Sequence, residues 1–438
     1  MLGFDGCLVT LDSVTSPPLH RLSLWTSHTT STEDQIMTTA SLRRRLPLSP
    51  AAHPLEDDDQ LSDILIRLPP LPSSLPRASA VCTRWRGLLS DPAFHRRFRV
   101  HHRRSPPLIG FIDVSEGLTI QPALDAPDRL PRGRFSLKIH DRFRTLGWRH
   151  GLALFFLPIP FQLLVWDPIA ADLHRLVIPP EFMLEYDPLV NPINGAVLRA
   201  AGDDDHHHFQ VVLVGSEGKQ HRRALACVYS SETGVWGDFI STPLAAKALI
   251  YDHEPAVLAG DCLHWLVMTS SEIILEFDLD RQSLAVTSVP AYMFTAGGNR
   301  QFRVIRAEGG EMGFLFVSDF TAQLWRKEKD SDGVVSWARG RTIELDKLFP
   351  PNSEEDYLGV VGYAEENNVV FIRTVVGVFM LYLESLHFKR TSETNSVSSH
   401  YPFELVYTPG IGGGQDGAKV VKHRWLTRWT QYIRRLFS

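Results

Sequence analysis

The chain has 438 residues, of which 44% are hydrophobic and 22% are charged, and its formal net charge is −5. At roughly 100 to 200 residues per domain, this length predicts two or three domains. The apolar share is too high for a chain that is disordered throughout. With 45 basic and 50 acidic residues, the charge balance gives no electrostatic reason to expect a nucleic-acid partner.

The cysteine spacing and the length of the apolar stretches indicate the cellular compartment that we expect for this chain. The 4 cysteines are far apart, with no C-x-x-C spacing for zinc and no density that suggests disulfides. The most apolar stretch, Leu152 to Trp166, is too short to span a membrane and contains two prolines. We therefore expect a reducing, cytoplasmic and/or nuclear location, no membrane span, and neither a metal nor a cofactor.

The segment 1–50 is rich in Ser, Thr and Pro and ends in a run of three arginines. It has no apolar periodicity against which a helix or strand could pack, so we expect it to be disordered. An organelle transit peptide is the alternative interpretation, although acids such as Asp5 and Glu33 do not suit it. Met37 is an alternative start of the chain.

Residues 51–100 carry helical patterns. Leu61, Ile64, Leu65 and Leu68 recur at i, i+3, i+4 and i+7, behind three acids that suit a helix N-terminus and before two prolines that end it. A second pattern begins near Ser74, and its apolar stripe consists of Ala78, Val81, Cys82, Trp85, Leu88 and Leu89. We expect Trp85 to anchor the unit. A unit of about 45 residues is only marginally stable alone, which implies a partner.

From residue 105 to residue 400 the sequence shows short β-branched and aromatic runs separated by Gly, Asp and Pro, which predicts many short strands. An apolar run with an aromatic recurs at Trp166, Tyr229, Phe277, Trp325 and Tyr382, with separations of 63, 48, 48 and 57 residues. Propeller blades repeat every 40 to 50 residues or so. The pattern favours an all-β, β-propeller-like domain after the small all-α unit over a pair of β-sandwiches.

Several phrases resemble a known family. The helical unit reads LEDDDQLSDILIRLPP from Leu55, RASAVCTRWR from Arg77 and LSDPAF from Leu89. It resembles an F-box, most closely those of the large grass F-box families. The downstream phrases VYSSETGVW from Val228, LEFDL from Leu275 and VGYAEE from Val361 are similar to the propeller-like associated region of the same proteins.

This resemblance implies a non-catalytic substrate-recognition adaptor. The F-box of such proteins binds a Skp-family linker, which tethers it to a cullin-RING (SCF-type) ubiquitin ligase, and the β-domain holds a target protein. The resemblance implies that the linker-binding and F-box core residues are Leu55, Leu61, Ile64, Leu65, Leu68, Val81, Trp85 and Leu88. The common Leu-Pro opening is replaced by Leu55-Glu56, which we expect to weaken linker binding by about 1 to 2 kcal/mol.

Other functions have weaker support. A free-standing propeller scaffold is the main alternative, and a propeller hydrolase is a further one, although no G-x-S-x-G or H-E-x-x-H motif occurs. We interpret Asp203 to His208 as a solvated loop instead of a metal site, and Arg96 to Arg104 as a solvated basic helix end instead of a nucleic-acid site. Asp167 and Asp278 are expected to be turn residues.

Two further segments have predicted roles. Residues 181–194 and 291–300 are the candidate substrate-binding loops of the propeller. Residues 409–438 combine a glycine-rich linker with a basic amphipathic segment whose apolar stripe includes Trp425 and Trp429. This stripe can pack on the propeller, which we favour, or lie on an anionic membrane surface.

Overall fold

The computed structural model describes residues 57–113, 118–183, 193–199, 208–217, 223–245, 248–251, 253–268, 273–290, 300–329, 335–349, 358–392 and 399–409. The predictions for segment 1–50, for Leu55 and for the chain after residue 409 fall outside these residues. Most of the two candidate loops falls outside them as well. Within the described part of the chain, no helix is both long enough and apolar enough to cross a membrane.

The described chain begins with four short helices: α1 (Asp58–Leu65), α2 (Ser74–Ser79), α3 (Thr83–Leu89) and α4 (Pro92–His102). The acids before α1 act as predicted, because the Asp57 carboxylate accepts the backbone N–H of Asp59 at 2.9 Å and caps the helix. Asp91 caps α4 in the same way, and Pro92 occupies its first turn.

The second helical pattern forms two helices instead of the single helix that its stripe predicted. Cys82 has an extended backbone, and its sulfur accepts the backbone N–H of Trp85 at 3.5 Å. An extended N-cap residue cannot continue the preceding helix, so the chain turns between Ser79 and Thr83. Val81 and Cys82 consequently lie exposed at the turn instead of in a buried stripe.

The regular structure in the remaining described residues is β-strand, apart from a 3₁₀ turn at Pro180–Phe182 and the short helix α5 (Leu345–Leu348). The strands are, in chain order, β1 (Leu108–Asp113), β2 (Leu118–Pro122), β3 (Ser136–Leu137), β4 (Arg144–Arg149), β5 (Leu152–Leu157), β6 (Gln162–Asp167), β7 (Asp172–Val177), β8 (Asn194–Arg199), β9 (Phe209–Glu217), β10 (Arg223–Ser230), β11 (Val235–Trp236), β12 (Ile240–Pro243) and β13 (Leu249–Ile250). They continue with β14 (Val257–Ala259), β15 (Cys262–Met268), β16 (Ile273–Asp278), β17 (Ser283–Ser288), β18 (Arg300–Arg306), β19 (Met312–Ser318), β20 (Thr321–Lys329), β21 (Val335–Glu344), β22 (Gly359–Ala364), β23 (Val369–Thr374), β24 (Gly377–Tyr382), β25 (Phe388–Ser392) and β26 (His400–Glu404).

These strands form the six antiparallel blades of a β-propeller, which confirms the predicted fold class. In five blades the strands follow one another in chain order, as β4-β5-β6-β7, β8-β9-β10-β11, β13-β15-β16-β17, β18-β19-β20-β21 and β22-β23-β24-β25. In the second and third of these, β12 also pairs with β10 and β14 also pairs with β15. The sixth blade has the order β26-β1-β2-β3 and joins the two ends of the domain.

Burial falls from the middle of each blade to its outer edge, and the sequence follows it. All six residues of β5 (LALFFL) are buried, whereas most of the outer strand β7 (DLHRLV) is exposed. Central strands are covered on both faces by neighbouring blades, which explains their continuous apolar runs. Outer strands meet water on one face and therefore carry charged residues.

The sixth blade closes the ring. β26 pairs antiparallel with β1, with Phe403 opposite Gly110 and Tyr401 opposite Ile112. The Phe403 side chain is 1% exposed and contacts the rings of Phe135 and Trp148. Residues almost 300 positions apart thus share one sheet, and no open edge remains between the first and last strands.

Candidate functional site

The helical unit divides the predicted F-box residues into buried and exposed groups. Leu61 and Leu65 are fully buried, while Ile64 is 44% exposed and Val81 is 62% exposed. Leu68, Trp85 and Leu88 are half-buried and pack against the same core. Trp85 therefore contacts the core of the unit with part of its ring and leaves the rest accessible.

The propeller supplies part of the core of the helical unit. Val406, which follows β26, is 5% exposed and packs in the same cluster as Leu61 and Phe98. The backbone N–H of Ser73 donates to the Asp128 carboxylate at 2.9 Å. The partner implied by the small size of the unit is thus, in part, the C-terminal end of the propeller itself.

The helical unit lies at one end of the propeller. It contacts Val406 after the last innermost strand and Asp128 in the connection between β2 and β3. In an antiparallel blade, innermost strands finish at the end where the third strand turns into the fourth. The strand ends that flank the candidate loops, at Ile178 and Asn194 and at Ser288 and Arg300, lie at the opposite end.

The central channel is filled by ion pairs that link different blades. Arg149 and Glu365 are 2.5 Å apart and almost completely buried, and the Arg149 guanidinium also donates to the Ala256 carbonyl at 2.8 Å. Burial disfavours the ionised form of Glu365, but the charge of Arg149 and its hydrogen bonds outweigh this effect and lower the pKa of the carboxyl. Both charges of this pair are neutralised by each other. Because Arg149 ends β4 and Glu365 follows β22, the pair joins two different blades.

A second channel carboxyl behaves differently. Glu254 pairs with Arg303 at 3.2 Å, yet burial raises its pKa because the arginine compensates only in part. The channel leaves a cavity of only about 30 Å³ between these groups. Space of this size holds a water molecule and is too small for a substrate.

The acids predicted to be turn residues have that role. The Asp167 carboxylate accepts the backbone N–H groups of Ile169 and Ala170, and Asp278 accepts those of Asp280 and Arg281. Among the described residues, no group of His, Cys, Asp or Glu has the arrangement of a metal site. Residues 203–207 of the predicted solvated loop fall outside them.

Sequence reasoning missed the contacts between distant segments. Arg149 and Glu365 are 216 positions apart, and Val406 belongs to no apolar pattern that relates it to the helical unit. A weak signal existed for the channel, because a glutamate follows directly after a buried β-strand at Glu365. Its arginine partner had no comparable signal.

Comparison with solved structures gives matches of low similarity. The WD40 domain of SCAP from fission yeast has 10% identity and a TM-score of 0.31, with 61% of this chain and 56% of that chain covered. The Cps50 (Swd1) β-propeller domain of Myceliophteria thermophila has 11% identity and a TM-score of 0.30, with 59% and 88% covered. Apo AztD from Citrobacter koseri has 13% identity and a TM-score of 0.30, with 68% and 88% covered. This chain spans little more than half of the first of these proteins.

The search of curated proteins finds no match. A family model does match: the β-propeller of F-box protein AT5G49610-like proteins corresponds to residues 149–410. The matched region begins at the end of β4 and continues past β26, so it covers more than half of the chain and most of the propeller. The chain belongs to this family of F-box protein AT5G49610-like β-propellers.

Proposed function

We propose that this protein is a substrate-recognition adaptor of a cullin-RING (SCF-type) ubiquitin ligase, with no catalytic residue of its own. The observation that carries the proposal is a propeller of an F-box protein family joined to a helical unit with an F-box-like sequence. The helical unit would bind a Skp-family linker, and through it a cullin. The propeller would hold the target protein.

Exposed apolar side chains on the helical unit support a linker-binding role. Ile64 and Val81 place branched side chains in water at 44% and 62% exposure, and Trp85 of the same unit is half-buried. Exposed apolar side chains and a partly exposed tryptophan on one small unit are typical of a protein-interaction surface. Leu61 and Leu65 are fully buried, so we assign them to the core of the unit and not to the interface.

The position of the helical unit suits an adaptor. It occupies the end of the propeller at which the innermost strands finish, and the strand ends that flank the candidate loops lie at the opposite end. A linker and a target would then bind without competing for the same surface. Neither role requires chemistry in the channel, whose charged groups hold the blades together.

Co-purification of the full chain with a Skp-family linker tests the proposal. We expect the wild type to bind the linker. Ile64→Asp or Val81→Asp should weaken this binding at least about tenfold, because each substitution would bury a charged side chain in an apolar interface. Both residues are exposed, so the thermal unfolding of the variants should match that of the wild type.

Val177→Asp is the matched control. Val177 is 71% exposed on β7 of the propeller, and the same substitution there should leave linker binding unchanged. If the wild type binds no linker, or if both F-box variants bind as the wild type does, the adaptor proposal is wrong. A free-standing propeller scaffold would then become the leading interpretation.

A further inference from the structure

A cavity of about 230 Å³ lies between α4 and the propeller. Arg99 and Arg103 of the helical unit line one side, and Arg199 at the end of β8 lines another. Ile169, Val406 and Tyr407 contribute apolar surface to the same space. The cavity therefore combines three guanidinium groups with an apolar wall.

The positive charges of the cavity are only partly neutralised. Arg199 pairs with Asp167 at 2.5 Å. Arg99 donates to the Thr408 hydroxyl at 3.3 Å, and no ion pair joins Arg99 or Arg103 to a carboxylate within the described part of the chain. Loss of solvent, together with the nearby charges of Arg96 and Arg199, lowers the pKa of Arg99. Among the described residues, Arg99 is thus close to two other guanidinium groups, and of these only Arg199 is paired with a cavity-lining carboxylate.

The other titratable groups on the wall, His150 and Glu404, supply at most part of the negative charge that would balance the arginines. Loss of solvent and the charges of Arg149, Arg103 and Arg199 lower the pKa of His150 to about 3, so this imidazole is neutral at physiological pH. Burial raises the pKa of the Glu404 carboxyl to about 7, so this group is only partly ionised near neutral pH, and it accepts the backbone and side-chain N–H groups of Asn367 at 2.9 and 2.7 Å.

Arg99 and Arg103 are placed to act together. Arg99 lies in the last turn of α4 and Arg103 is its C-cap, so they are four residues apart and share one face of the helix. Guanidinium groups bind carboxylates and phosphates through paired, charge-assisted hydrogen bonds. The volume is below the 300 to 1,000 Å³ or so that drug-sized ligands fill, which limits the occupant to a small molecule.

We propose that this cavity binds a small organic anion, whose carboxylate or phosphate group pairs with Arg99 and Arg103 and whose apolar body packs on Ile169 and Val406. The bound anion touches both α4 and the propeller. It would therefore hold the helical unit and the propeller together.

Calorimetric titration of the full chain tests this proposal with four probes: phenyl phosphate, phenylacetate, inorganic phosphate and the neutral phenylacetamide. We expect phenyl phosphate or phenylacetate to bind, and phenylacetamide to bind at least about tenfold more weakly, because it lacks the charge that the arginines recognise. Inorganic phosphate should also bind more weakly than phenyl phosphate, since it lacks the apolar body.

Three variants locate the site. Arg99→Gln and Arg103→Gln should each reduce the affinity for the anionic probe about tenfold or more. Arg104→Gln is the matched control, because it removes the same charge from a residue that is exposed and does not line the cavity. When the probe binds, hydrogen exchange should slow most in the segments that line the cavity, which are the end of α4, the turn at Ile169 and residues 405–409.

The outcomes separate the alternatives. The proposal is overturned if none of the anionic probes binds at millimolar concentration. It is also overturned if the Arg99→Gln and Arg103→Gln variants bind the anionic probe as tightly as the wild type does. Equal affinity for phenylacetamide would show that charge is not recognised, and equal affinity for inorganic phosphate would remove the apolar part of the site. The titration needs no linker, so its failure leaves the adaptor proposal intact.

Discussion

At the scale of single residues, Gly87 and Gly362 predict opposite effects of the same substitution. Gly87 lies inside α3, and a Cβ placed there would meet nothing within 4 Å. Alanine costs less backbone entropy in a helix, so we expect Gly87→Ala to stabilise the helical unit by about 0.5 to 1 kcal/mol. A Cβ on Gly362 in β22 would overlap with the His400 carbonyl oxygen of β26.

Gly362→Ala should therefore push two innermost strands apart and destabilise the propeller by about 1 to 3 kcal/mol. Hydrogen exchange resolves the two effects, because slower exchange in α3 reports the helical unit and faster exchange in β22 and β26 reports the channel. A destabilised helical unit in Gly87→Ala would mean that α3 is packed more tightly at this residue than the structure shows.

Glu404 predicts a pH dependence of stability. Burial raises its pKa to about 7 from an ordinary value of 4.5, although hydrogen bonds from Asn367 oppose the shift. Folding thus favours the protonated carboxyl, and the stability that it contributes is fully present below pH 4.5 and lost as the pH rises through about 7. Glutamine cannot ionise, so Glu404→Gln should flatten the pH profile and be more stable than the wild type above pH 7.

Urea unfolding at several pH values checks this prediction. Glu232→Gln, at an exposed position between β10 and β11, is the control and should keep the slope of the wild type. A Glu404→Gln variant with an unchanged slope would mean that the buried carboxyl is already ionised at low pH. The raised pKa would then be wrong for this position.

At the scale of elements, the repeat was readable from the sequence to a considerable extent. The five aromatics of the predicted repeat, Trp166, Tyr229, Phe277, Trp325 and Tyr382, lie in the third strands β6, β10, β16, β20 and β24 of five blades. The sixth blade was not predicted because its strands come from both ends of the domain. A search for a sequence period cannot find a blade whose first strand lies at one end of the sequence and whose other three strands lie at the other end.

The helix break at Cys82 shows a second limit. An apolar stripe with helical spacing continues from Ala78 through Val81 to Trp85, and the sequence alone contains no proline or glycine that would end a helix there. The structure ends α2 at Ser79 because Cys82 adopts an extended conformation and caps α3. Periodicity identified the helical unit but could not distinguish one helix from two.

The closing strand β26 leads to a prediction about the whole ring. Phe403→Ala removes a ring that contacts Phe135 and Trp148, and truncation of a buried phenylalanine typically costs about 3 to 5 kcal/mol. The loss should appear as a lower unfolding temperature of the entire propeller, because β26 joins its first and last strands. Phe239→Ala, at a position that is 41% exposed, is the control and should cost much less. Equal losses of stability in the Phe403→Ala and Phe239→Ala variants would mean that closure by β26 contributes little to the stability of the propeller.

At the scale of the whole molecule, the sequence could identify candidate residues but not the surfaces that they form. Leu61 and Ile64 belong to the same apolar stripe, yet one is fully buried and the other is 44% exposed. A pattern of apolar residues cannot separate a core from an interface, because both exclude water in the functional state. The cavity lined by Arg99 and Arg199 depends on the folded chain, which brings α4 beside β8.

The separation of the two ends of the propeller gives a final prediction. Replacement of residues 184–192 and 291–299 by Gly-Ser segments of equal length should abolish capture of a target protein and preserve binding of a Skp-family linker. The reason is that the strand ends which flank these segments lie at the end of the propeller opposite to the helical unit. Val81→Asp should have the reverse effect, so the two variants act as controls for each other.

Quantitative affinity purification with labelled proteins measures both associations in one experiment. Proteins that the wild type enriches should fall into two groups, one lost in the loop variant and one lost in Val81→Asp. Loss of both groups in the loop variant would indicate that the loops support the fold, which its unfolding temperature would reveal. Retention of every target in that variant would place recognition elsewhere, and the side of the propeller near Val177 and Phe239, both exposed, would be the next surface to change.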